Sequence, residues 1–461
     1  MRSLIDEGHT LDAGLAAIRA QYSVPLAFPP EVLAAAETAA HRSPTEHVDR
    51  TDWEFITLDP ATSTDLDQAF TIGSSGDDLI LHYAIADVAW FVKAGDALDR
   101  EAWRRGTTLY LPDGKAGLYP PVLAEGAASL LPDGPRPAVV FHVRVGVDGV
   151  AVLDGAERAI IHSRAKLAYD SVTAAQLPAD FEEFGRRVQA AAAARGAGTI
   201  EPPDQQVERV GDNQYQLVFR PRLASEDQNA AMSLACNLAI AQAMFHASTG
   251  LFRVMPEPDE RAVKRLRHTA RGFAMNWPAD QSLATFSRTL DARDPKQAAF
   301  MLAARRAGGG ADYQQFLPGV TPWHSAMAAT YAHATAPLRR LADRYVVQVA
   351  LAIANGNTVP DDVAEALSLL PEPMDRAEST GNRIDRALLD LAEAVIMRGH
   401  EGESFDAVVV DDDEDGTRIQ LLEVAVVAKV KAHGVEPGDQ LRVKLVATDV
   451  DRRAVRFERV S

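Results

Sequence analysis

The chain has 461 residues, 47% apolar and 24% charged, with a formal net charge of −18 from 65 acidic and 47 basic side chains. This is enough chain for more than one small core, in ordinary globular proportions, and the negative sum excludes a non-specific coat on nucleic acid but not an enzyme whose basic residues converge locally. No apolar run reaches the roughly 18 residues of a membrane span, "MRSLIDEGHTLDAG" lacks the apolar centre of an export signal, and the single Cys236 excludes an intrachain disulfide; a cytoplasmic monomer that touches no membrane is expected.

Residues 1 to 50 read as two short helices, "LDAGLAAIRAQY" with apolar side chains at helical spacing and "PPEVLAAAETAAHR" with prolines suited to a first turn. From Trp53 to Val172 the pattern changes to strands: "LILHYAIADVAWFV" is a buried strand entering a turn, and "PAVVFHVRVGVDGVAVLDGAERAII" alternates as a hairpin turning at Asp148-Gly149. "FEEFGRRVQAAAAARG" is a helix ended by Gly196. Ser225 and Gln228 form a capping pattern ahead of a buried helix, "NAAMSLACNLAIAQAMF", and residues 260–395 are mainly helical. The last 60 residues hold five short strands, "FDAVVVD", "TRIQLLE", "VAVVAKV", "QLRVKLVATDV" and "AVRFERV", with "DDDEDG" as an acidic turn. That count suggests a small barrel of the OB type, which either caps the chain or meets RNA through Lys429, Lys431, Arg442, Lys444, Arg452 and Arg453.

Four constellations could carry chemistry. In "TLDPATSTDLDQA", Asp65 and Asp67 share one face of an extended segment. Asp59 ends a strand before Pro60, and "ATST" supplies small residues for folding back beside the pair. Hard oxygen ligands gathered this way suit Mg²⁺ or Mn²⁺; a solvated, aspartate-rich surface turn is the plain alternative, and the EF-hand pattern is absent. "YAHATAPLRRLADRY" places Arg339 and Arg340 after a proline turn at the start of a helix, a phosphate fork or a surface helix with Asp343 paired to Arg339. Tyr110 and Tyr169 are either base-stacking platforms or core residues. "DERAVKRLRHTARG" puts Arg261, Lys264, Arg265, Arg267, His268 and Arg271 on one helix, more simply a solvated face than an RNA contact. His82, His142 and His162 lack metal spacing, and no phosphate-binding glycine loop or nucleophile elbow is present.

The stretches "ITLDPATSTDLDQAF", "YAIADVAWFV", "RGTTLYLPDG", "SRAKLAYDSV" and "YAHATAPLRRLADRY", in this order over residues 50 to 350, resemble the RNB catalytic domain of the RNase II/RNase R exoribonucleases. The resemblance implies an α+β fold: a short helical segment at 1–50, a catalytic domain with a mixed β-sheet core surrounded by helices at 51–398, and an OB-like barrel at 399–461. It implies a metal-dependent, hydrolytic 3′-to-5′ exoribonuclease that binds single-stranded RNA and releases nucleoside 5′-monophosphates and a short end product. Asp59, Asp65 and Asp67, joined by Gln68, would bind Mg²⁺ or Mn²⁺. Arg339 would hold the scissile phosphate, and Tyr110, Tyr169, His333, Thr335 and Arg340 would contact RNA.

The chain departs from the family pattern at three places. Gln68 stands where a fourth aspartate is usual, and Asn229-Ala230 where paired glutamates are, with Glu226 and Asp227 a turn earlier. About 50 residues precede the catalytic domain, too few for tandem cold-shock barrels. The aromatic partner of Tyr110 is either Tyr215 or Phe219. Two other functions stay open: an RNA-binding protein of this fold with weak turnover, and a phosphoesterase restricted to short oligonucleotides.

Overall fold

The structure, a computed structural model, describes residues 4–5, 10–198, 204–211, 214–220, 222–413 and 416–460. Its centre is a five-stranded closed barrel of Val48–Asp59, Gln68–Ser75, Asp78–Ala86, Arg136–Val145 and Ala151–Ala168. The expected sheet therefore curls onto itself: the first strand pairs parallel with the last, from Val48 opposite Ala159 to Asp59 opposite Ala168. Every other pairing in the barrel is antiparallel. Closure removes the sheet edges, and Phe55, Phe70, Tyr83 and Phe141 on these strands are all fully buried. At the hairpin turn Gly149 has a φ of +75°, and a Cβ there would lie 2.1 Å from the Arg187 carbonyl oxygen, so only glycine fits.

The acidic stretch is the connection between the first and second barrel strands. Leu66, fully buried, anchors its middle: the Leu66 N–H donates to the Ser129 hydroxyl, and its carbonyl accepts the Leu130 N–H. After Ala86 the chain makes one helical turn, Val88–Phe91, capped by Asp87. The helix Ala224–His246 packs against the barrel. Its expected cap is corrected: Glu226 accepts the Leu223 N–H at 2.7 Å, whereas the Ser225 hydroxyl leaves the helix for the Tyr169 carbonyl at 2.7 Å. The helical stretch after residue 260 is interrupted by Asp312–Gln315, which pairs with Leu251–Val254, and by the ribbon of Trp323–His324 with Ala329–Thr330.

A second core joins what lies far apart in sequence. Leu11, Leu15 and Ile18 of the helix Thr10–Gln21 pack with Ile384, Leu388 and Leu391 of the long helix Pro371–Met397. The same cluster continues into a second closed barrel of Ser404–Asp413, Gly416–Leu421, Val427–Lys431, Gln440–Asp449 and Ala454–Val460. The strand expected from "VAVVAKV" is confined to Val427–Lys431, and Glu414 and Asp415 of the acidic turn lie outside the described residues.

Glu393 stands at this junction. It accepts the Val427 N–H at 2.9 Å and the Gln205 side-chain amide at 2.8 Å, and burial pushes its carboxyl up to about 7. Between the ordinary glutamate range and pH 7 the folded chain thus holds a proton that the unfolded chain has lost. Stability conferred by the neutral acid is present below that window and declines as pH rises through it. The melting temperature is expected to fall between about pH 5 and pH 8, with a contribution of roughly 1–3 kcal/mol from this group. Glu393→Gln should flatten that slope, and parallel melting curves for the two proteins across the range would remove Glu393 as its source.

Candidate active site

The two polar stretches that the sequence separates by more than 260 residues meet at the mouth of the first barrel. Asp67, only 5% exposed, accepts the Leu338 N–H at 2.7 Å, and its second oxygen faces Arg339 Nε at 3.7 Å. The Arg339 side chain stays 44% exposed, so a cation points into solvent directly above a buried carboxylate. The loop carrying it is held from every side. The Thr107 hydroxyl and the Thr108 N–H donate to the Arg339 carbonyl at 2.8 and 3.0 Å. Asp343 accepts the Ala336 N–H at 2.9 Å, and Asn237 accepts the Ala334 N–H at 2.9 Å. Gly106, at a φ of +71°, lets the preceding helix end within this arrangement, where a Cβ would lie 2.7 Å from that of Ala377.

The carboxylates differ in environment. Burial pushes the Asp67 carboxyl up to about 8 against the opposing pull of Arg339, and pushes Asp59 up to about 6, with Arg339 and Lys166 opposing and Asp65 reinforcing. No donor among the described residues bonds the Asp59 carboxylate. Asp65 is engaged on both oxygens: Lys115 Nζ donates to one at 2.8 Å and the Tyr110 hydroxyl to the other at 2.7 Å. Lys115 also faces Glu125 at 3.2 Å.

Tyr110 is half-exposed at the start of a small hairpin, Leu109–Leu111 with Gly114–Ala116, in which it stands opposite Lys115. Its ring lies open beside the carboxylates, and burial of its hydroxyl next to Asp65 raises the phenol above its ordinary value. Tyr169 flanks Asp59: its N–H donates to the Asp59 carbonyl at 3.3 Å and its hydroxyl accepts from the Asn229 amide at 2.8 Å. Asn229, at the position of the missing glutamates, therefore reaches the site as a neutral donor.

Other expected contacts are placed differently. Gln68 was expected among the metal ligands; instead its amide NH₂ donates to the Thr335 carbonyl at 2.6 Å and its oxygen accepts the Tyr83 hydroxyl. Those two bonds make it a strut between the barrel and the arginine loop. Arg340 forks onto both oxygens of Asp343 at 2.9 and 2.7 Å, so its charge is neutralised within the protein. Asp343 thus pairs with Arg340, not with Arg339. Thr335 is buried and its hydroxyl meets that of Ser233, and His333 is held between Tyr313 and Tyr331. Phe219 packs into the second core, and the side chain of Tyr215 lies outside the described residues. On the basic helix, Arg267 lies over Trp277 and donates to the carbonyls of Pro278, Ala279 and Gln281, a structural task. Lys115 was the residue missed; the "PDG" turn between Leu111 and Lys115 was the signal, since a tight hairpin there sets Lys115 across from Tyr110.

Among the described residues no three His, Cys, Asp or Glu side chains close around a point as a complete cage. The donor set nevertheless fits Mg²⁺ or Mn²⁺, which bind through one or two carboxylates with phosphate oxygens and water completing the shell. Asp59 and Asp67 are two such carboxylates, desolvated, and among the described residues neither has a bidentate cationic partner.

Comparison with known proteins agrees with this architecture. Residues 47–354 match the RNB domain, and residues 403–460 match the RNase II-type exonuclease C-terminal S1 domain. Ribonuclease R of Aquifex aeolicus is 24% identical over 95% of this chain and 69% of its own length. The fold is shared with Mycoplasma genitalium RNase R, solved in complex with ribose methylated single-stranded RNA, at a TM-score of 0.85 and 18% identity, covering 98% of this chain and 78% of that one. It is also shared with yeast Ssd1, a pseudonuclease, at a TM-score of 0.70 and 16% identity over 94% of this chain and 57% of that one. Among the described residues no helix is long and apolar enough to cross a membrane. With two thirds of its length matched to the RNB domain and an S1 domain following, the chain belongs to the RNB family.

Proposed function

We propose that this chain is a divalent-metal-dependent 3′-to-5′ exoribonuclease that hydrolyses single-stranded RNA to nucleoside 5′-monophosphates and a short end product. The observation that carries this reading is a pair of carboxylates, buried Asp67 and half-buried Asp59, beneath the exposed guanidinium of Arg339. Asp59 and Asp67 would hold the ion. When bound, a divalent ion supplies polarisation of a non-bridging phosphate oxygen and a lowered pKa for water.

The chain's own residues supply the rest. Arg339 donates to the scissile phosphate and stabilises charge that grows on its oxygens in the transition state, at a position already fixed by the Thr107 and Thr108 bonds to its backbone. Tyr110 offers a ring face to a base near the 3′ end, which requires an unpaired strand. Tyr169, tied to Asn229, lines the opposite side by Asp59.

A second reading, RNA binding without turnover, is favoured by Gln68 and by the fold shared with a pseudonuclease. The two separate on one experiment: 5′-labelled single-stranded RNA incubated with Mg²⁺ or Mn²⁺ and resolved by length. A ladder descending to a short product supports hydrolysis; retarded but intact RNA supports binding alone. Accumulation confined to oligomers that were short at the outset would point to the restricted phosphoesterase.

Substitutions at three residues test the assignment. Asp67→Asn keeps an oxygen for the Leu338 N–H but removes a charge from the acidic pair. Hydrolysis should drop roughly a hundredfold or more while RNA binding persists, and a parent-like rate would displace Asp67 from the centre. Tyr110→Ala removes a stacking surface of about 1–3 kcal/mol, so the end product should lengthen or become heterogeneous, whereas Tyr110→Phe, which keeps the ring but loses the bond to Asp65, should change it less. An identical product pattern for the alanine variant would return Tyr110 to a purely structural role. Gln68→Glu aims a carboxylate oxygen at the Thr335 carbonyl and should destabilise the fold by about 1–3 kcal/mol. Denaturant midpoints that coincide for parent and variant would show that the strut does not bear on stability.

A further inference from the structure

Lys115 takes no part in the hydrolysis proposed for the aspartates and Arg339, and its position is distinctive. It is three-quarters buried, rises from the same hairpin as Tyr110, and sets its ammonium 2.8 Å from one oxygen of Asp65, whose other oxygen takes the Tyr110 hydroxyl. We propose that Lys115 is a built-in cation of the active site, which withdraws Asp65 from metal binding and limits the centre to a single divalent ion. This rests on the metal-dependent reading of the site and refines it.

Charge balance leads to the same result. Four carboxylates, Asp59, Asp65, Asp67 and Glu125, face three cations, Arg339, Lys115 and Lys166. The nearby Arg340–Asp343 pair is neutral. With all four carboxylates ionised, as metal binding requires, one negative charge remains, and a phosphodiester bound at Arg339 adds a second. One divalent ion neutralises both. A second would place two uncompensated positive charges beside buried groups, which a low-dielectric site strongly disfavours.

Geometry adds to the argument. A second ion on Asp65 would have to expel the Lys115 ammonium and break the Tyr110 bond, releasing the ring that meets the RNA base. Gln68 does not make good the loss, because both ends of its amide are bound to Tyr83 and Thr335. Lys115 is on this reading a positioning residue: it holds Asp65, and through Asp65 the tyrosine.

The test counts ions directly, on the full chain, by titrating MnCl₂ with adenosine 5′-monophosphate in excess and following free Mn²⁺ by electron paramagnetic resonance. The parent should saturate at one Mn²⁺ per chain, Lys115→Met at two, and Lys115→Arg at one. Two ions on the parent would overturn the inference while leaving the nuclease reading intact. One ion on the methionine variant would also overturn it, by showing that Lys115 does not set the number. No bound Mn²⁺ on the parent would remove the inference together with the metal-dependent reading.

Discussion

The hydrogen bond from the Leu338 N–H to the Asp67 carboxylate is the constraint on which the site depends. It fastens a loop near residue 338 to a barrel strand start near residue 67, and it does so by sinking a carboxylate that water would otherwise solvate. The burial is costly, and the high pKa of Asp67 records that cost. The surrounding structure offsets it with one backbone donor, a guanidinium nearby and a loop held rigid by Asp343, Asn237 and Gln68. A site so arranged is electrostatically incomplete without a ligand. On the proposed reading, cation and phosphate together would bind there more strongly than either alone.

Rigidity of the arginine loop fixes the position of one exposed side chain, as the proposed role of Arg339 at a phosphate requires. Arg339 has no bidentate partner of its own; its neighbour Arg340 takes that part with Asp343. Two consecutive arginines therefore divide the work, one bracing the loop from inside and the other facing the solvent. The division follows from the turn at Ala336–Leu338, which directs successive side chains to opposite surroundings.

Much of this was legible in the sequence. The strand periodicity, the five-strand count near the C-terminus, the acidic motif and the arginine motif each reflect local geometry, and local geometry is what residue spacing encodes. Barrel closure was less accessible, because the parallel pairing of Val48–Asp59 with Ala151–Ala168 links segments about 100 residues apart. Side-chain allegiance was least accessible of all. Nothing in "LRR" says which arginine meets Asp343, and nothing in "DLDQ" says that the glutamine turns to Thr335, since those choices are made by partners remote in sequence. Ser225 shows the same limit: its spacing from Gln228 fits a cap, yet the Tyr169 carbonyl claims its hydroxyl.

The hairpin that bears Tyr110 is gripped from outside. Arg19, in the helix Thr10–Gln21, forks onto Asp113 at 3.0 and 2.8 Å and donates to the Gly114 carbonyl at 3.1 Å, while Leu111 and Ala116 root the hairpin in the core shared with that helix. A segment remote from the chemistry thus acts as the calliper of the molecule. It fixes how far the tyrosine stands from the carboxylates, a spacing that on the proposed nuclease reading sets where digestion of an RNA chain stops. On that reading, sequence drift in such a helix would change remnant length before it changed rate.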